Sequence, residues 1–108
     1  MKSYTPTEAH RMFNEFFAAF PRLGRVVIRG TDLEEFNTAA EAAEATARLP
    51  PSAATCVELE QYLGLMFNLL FDAPLFRAKP LHQRQTVADA LEITFVALAS
   101  AADSRRLH

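Results

Sequence analysis

The chemistry that side chains of this 108-residue chain can offer rests on three histidines, one cysteine, a run of glutamates and a small group of arginines. A metal site on a helix needs two ligands on one face, as two histidines four apart or a histidine three residues after a glutamate. His10, His82 and His108 have neither spacing. Glu8 and His10 stand two residues apart, and such neighbours point to different faces of a helix, so they read as part of a first helical turn. Cys56 is the lone thiol. The first turn of a helix lowers a thiol pKa and favours nucleophilic chemistry. However, Cys56 shares a helical stripe with Leu59 and Leu63, which predicts burial as a small apolar residue.

His82 precedes a long helical pattern and has Arg84 nearby, an arrangement that invites phosphotransfer. The pattern of such domains, His-x-x-Lys-Gly, is not met by His82-Gln83-Arg84-Gln85-Thr86. Glu34, Glu35, Glu41 and Glu44 would need a pocket that separates their pKa values to act as a paired acid and base. Nothing in the surrounding sequence builds one, so they read as a solvated face or an acidic docking surface. Arg22, Arg25 and Arg29 form the one basic cluster. The ten residues around them are too many for a helix-turn-helix turn, and the helix that follows is acidic and alanine-rich. A salt-bridging role for these arginines against that acidic helix, within the chain or in a partner, is the better reading. Glycines occur only at positions 24, 30 and 64, so a phosphate-binding glycine loop is excluded.

Composition agrees with a compact protein that has no affinity for polyanions. Half of the residues are apolar, 22% are charged and the net charge is -2, a balance that favours folding over disorder and gives no general attraction to nucleic acid or an anionic membrane. The length is that of one domain, taken as residues 1–108. Charge is unevenly distributed: residues 1–30 hold five basic and two acidic side chains, residues 31–60 one and seven. One cysteine excludes an intramolecular disulfide, and no apolar run approaches the roughly 20 residues of a membrane-spanning helix. A cytoplasmic location is therefore expected.

The elements that position these residues are marked by caps and prolines. Thr5-Pro6-Thr7-Glu8 opens a first helix with Met12, Phe13, Phe16, Phe17 and Phe20 on one stripe, and Pro21 ends it. In residues 22–30 the run Val26-Val27-Ile28 has a strand-like composition but no partner strand. This segment is read as a short extended connector, with a helical turn or a strand pairing across a dimer as alternatives. Thr31-Asp32-Leu33-Glu34 reads as a capping box for a second helix, with Leu33, Phe36, Ala40, Ala43 and Ala47 as a narrow seam and Glu44 placed to pair with Arg48. The third helix begins within Ser52 to Thr55, with Ser52 or Thr55 as its cap, and ends at Asp72-Ala73-Pro74. Its seams are Cys56, Leu59, Leu63, Met66 and Leu70, then Tyr62, Leu65 and Leu69, with Phe67 and Phe71 on a further side. After a connector anchored by Phe76, a fourth helix runs from Pro80 to about Ala102. The fold class is all-α, a four-helix bundle-like domain.

A third helix that is apolar almost all round must be surrounded, which a second subunit would do most completely. Tyr62, Leu65, Met66, Leu69, Phe76, Val87, Leu91, Thr94 and Leu98 are accordingly the candidate residues for a dimer or partner interface. The alternative is an apolar-ligand pocket inside the bundle, lined by Met12, Phe13, Phe17, Met66, Phe67, Phe71 and Phe95. The capped first helix and the two long apolar seams, Cys56 to Phe71 and Leu81 to Ala102, resemble the small antiactivator proteins that sequester LuxR-type quorum-sensing regulators. That resemblance implies a cytoplasmic homodimer that captures a transcription factor, with no catalysis and no cofactor.

Overall fold

The computed structural model describes residues 3–103, and His108 lies outside them. Six helical segments follow one another: α1 (Pro6–Ala19), α2 (Pro21–Val27), α3 (Thr31–Ala47), α4 (Ala53–Asp72), α5 (Pro74–Arg77) and α6 (Leu81–Asp103), with no strand among the described residues. The all-α class and the four long helices are those expected from the sequence.

Helix α1 starts as its sequence predicts: the Thr5 hydroxyl accepts from the Glu8 backbone N–H and donates to the Glu8 carboxylate, both at 3.1 Å. Two other starts differ. Helix α3 is not capped by Thr31. Gly30 takes that position at φ 67° and ψ -142°, a conformation open to glycine and strained for other residues. Helix α4 is capped by Ser52, whose hydroxyl accepts from the Thr55 N–H while the Thr55 hydroxyl accepts from the Ser52 N–H. Thr55 is thus the third residue of the helix.

Residues 22–30 correct the extended reading. Pro21 occupies the first position of α2, where its fixed φ suits a helix and its missing N–H costs nothing, and the Ile28 N–H closes the helix on the Gly24 carbonyl at 2.9 Å. Val27 and Ile28 are buried. Tertiary burial therefore overrides the β preference of the Val-Val-Ile run.

Helix α4 forms the centre of the bundle, with α3, α6 and α1 packed along it and α5 against its end. The small residues Ala39, Ala43 and Thr46 of α3 are buried and let its backbone approach α4 closely. Cys56, Leu59, Leu63, Met66 and Leu70 are fully buried along α4. The chain's own helices thus supply most of the cover that a second subunit was expected to give. A series of contacting rings crosses three elements, from Phe20 through Phe16, Phe67 and Phe71 to Phe76, with centroids 4.9 to 6.3 Å apart. Such pairs add about 0.5–1.5 kcal/mol each beyond the area they bury. The expected i, i+4 ion pair of Glu44 and Arg48 does not form; the ion pair among the described residues joins Arg77 and Asp72 at 3.1 Å, on the surface.

Candidate interaction surfaces

The chemistry-bearing residues are dispersed. Cys56 is fully buried, and desolvation pushes its thiol up to about 11. Its position inside the core outweighs any effect of the helix N-terminus. His10 is also buried, with Nε2 2.7 Å from the Thr55 hydroxyl oxygen. Burial lowers the His10 pKa, and the Ala47 backbone offsets this only in part. Among the described residues its Nδ1 has no hydrogen-bond partner. His82 is exposed at the start of α6, far along the chain from either. Among the described residues, no three His, Cys, Asp or Glu side chains are grouped to hold a metal ion. No helix there is long and apolar enough to cross a membrane.

The nine candidate interface residues separate into two groups. Leu65 is 47% exposed, and Tyr62 and Leu69 are partly buried. Met66, Phe76, Val87, Leu91, Thr94 and Leu98 are buried in the chain's own core, and Thr94 donates to the Ala90 carbonyl at 2.9 Å. These six are core residues: five lie on sides of α4 and α6 that the chain's own helices cover, and Phe76 is on α5, which packs against the end of α4. The rings expected to line an internal pocket in the alternative reading pack on one another: Phe13 contacts Phe17 at 5.3 Å, and Phe67 contacts Phe71 at 6.3 Å.

Two outer faces remain. The first is a groove of about 570 Å³ between α3 and α4, with Ala39, Ala42, Tyr62 and Leu65 as apolar lining and Thr31, Glu34, Glu35 and Thr38 from α3. The second lies along α6. Ile93 and Val96, one turn apart, are 56% and 54% exposed. Ile93 also borders a smaller groove of about 270 Å³ between α1 and α6, lined by Met12, Phe16, Ala19, Phe20 and Ala90 among others. Sequence reading missed this face, since Ile93 and Val96 extend the apolar pattern of α6 like any core residue. The distinguishing signal is their company: Asp89 and Glu92 flank them on the outward side.

No family model matches the chain, and no curated protein or solved structure is significantly similar to it.

Proposed function

We propose that the chain is a non-enzymatic interaction protein that inhibits a target by capturing it on the α1–α6 face. The observation that carries this reading is Ile93, 56% exposed at the edge of the Met12–Phe20 groove, with Val96 one turn further along α6 and 54% exposed. Exposed apolar side chains grouped at a groove favour protein contact, because a partner's apolar surface removes them from water at about 25 cal/mol per Å². The resemblance to antiactivators gives the target its class, a transcriptional regulator sequestered in the cytoplasm, and gives the working unit as a homodimer.

The test is capture from the native host with the tagged full chain and with an Ile93→Glu/Val96→Glu variant. A DNA-binding regulator retained by the first and lost from the second supports the reading. Equal retention by both, or a co-purified small molecule with no protein partner, overturns it.

A further inference from the structure

Two surfaces of opposite charge lie on either side of α3. On one side, Arg22, Arg25 and Val26 of α2 occupy i, i+3 and i+4 positions and are all exposed, Val26 to 63%. Arg29 is held at the end of the same helix by the Val26 and Ile28 carbonyls. None of these three arginines has an acidic partner among the described residues. Arg25 donates to the Asn37 side chain at 3.1 Å, and Arg22 makes no polar contact among the described residues. On the other side is the α3–α4 groove, with Glu34 and Glu35 above Ala39, Ala42, Tyr62 and Leu65. Those glutamates have no basic partner among the described residues either.

The two surfaces match in kind: a basic stripe centred on an exposed valine, and an apolar groove edged by carboxylates. They cannot meet within one chain. Asn37, which binds Arg25, and Ala39, which lines the groove, are two residues apart and therefore point to opposite sides of α3. Helix α2 thus flanks α3 on one side and the groove flanks it on the other. A two-fold axis running along α3 would bring the α2 stripe of each copy over the groove of the other, so that both contacts form twice.

We propose that the α3–α4 groove is filled by α2 of a second copy of this chain, with Val26 against Leu65 and the arginines against Glu34 and Glu35. This inference rests on the homodimer in the proposed function but not on target capture, which uses a different face. Helix-dipole compensation accounts for acidic residues in the first turn of α3. It does not account for the exposed Val26 and Leu65 or for the exposed Arg22 and Arg25 beside Val26, which lack an acidic partner among the described residues.

The test is sedimentation equilibrium of the full chain over a range of concentrations and salt. The wild type should dimerise, more weakly as salt rises, because the ion pairs at the edge of the contact are screened. Arg22→Glu/Arg25→Glu and Glu34→Lys/Glu35→Lys should each weaken the dimer by roughly tenfold or more. An equimolar mixture of the two variants should restore association as a heterodimer, since each groove then meets an α2 of opposite charge. Circular dichroism checks that both variants fold. The proposal is overturned by a wild type that stays monomeric, including one that binds a basic peptide instead, by a dimer indifferent to the reversals, or by folded variants that do not associate when mixed. Ile93→Glu/Val96→Glu should still dimerise. A wild type that dimerises but captures no regulator therefore counts against the function alone, and a wild type that captures one without dimerising counts against this interface alone.

Discussion

The His10 Nε2 and the Thr55 hydroxyl oxygen lie 2.7 Å apart inside the core, joining the second turn of α1 to the capped first turn of α4. Thr55 is engaged further, since its hydroxyl also lies 3.0 Å from the Ser52 carbonyl. Protonation would place a charge on a ring held inside the core, and this loss of hydration, offset only in part by the Ala47 backbone, lowers the His10 pKa.

A pH dependence follows from that shift. The folded pKa of His10 lies below the unfolded 6.5, so the unfolded chain binds the proton more readily. The contribution of neutral His10 is fully present above the unfolded pKa and is lost as pH falls from there through the folded pKa. Urea unfolding should give a lower midpoint at about pH 5.5 than at about pH 7.5, a window above most carboxylate titration. His10→Gln should remove most of that difference. An unchanged pH dependence in this variant would assign it to other groups.

Cys56 should be inert in the folded protein. Its thiol is fully buried and its pKa is pushed up to about 11, so the nucleophilic thiolate is scarce at neutral pH and out of reach. A thiol reagent such as Ellman's should react slowly with the native chain, at a rate limited by opening of the bundle, and rapidly in denaturant. Fast stoichiometric reaction of the native protein would contradict this burial.

Leu65 and Met66 are sequence neighbours with opposite fates, 47% and 0% exposed. Leu65→Glu should keep the helical circular dichroism and a cooperative unfolding transition, while it weakens the proposed dimer. Met66→Glu should lose the fold, because a buried carboxylate without a partner costs several kcal/mol. Similar unfolding midpoints for the two variants would show that the two sides of α4 are not distinguished in this way.

Helix existence was legible wherever the apolar spacing was long and a polar cap preceded it, as at Thr5 and Ser52. Thr31 and Glu34 satisfy the capping-box pattern at the start of α3, whereas the backbone turn is made by Gly30. The strand composition of Val26-Val27-Ile28 points to an extended segment, and only the burial of Val27 and Ile28 in the folded chain favours the helix instead. Among the candidate interface residues, periodicity identified which lie on apolar stripes. It did not tell which stripes the chain's own helices cover, so Met66 and Leu98 were placed with Leu65. Complementarity between Arg22–Arg29 and the acidic helix was visible as charge. That the arginines and the groove edged by Glu34 and Glu35 lie on opposite sides of α3 was not.

Two glycine-to-alanine substitutions should destabilise the fold for different reasons. A Cβ on Gly24 would lie 2.2 Å from Cζ of Phe36, whose ring is fully buried, so Gly24→Ala must displace a packed side chain at about 1–3 kcal/mol. Gly30 has open space around it but a φ of 67°, so Gly30→Ala meets backbone strain of similar size, about 1–3 kcal/mol. Only the first cost involves a neighbour. Phe36→Leu should therefore relieve part of the Gly24→Ala penalty, making the double variant more stable than the sum of the single effects implies, and should leave the Gly30→Ala penalty unchanged. Chemical denaturation of the single and double variants measures both couplings, and additivity at Gly24 would show that the Phe36 ring does not limit the approach of α2 to α3.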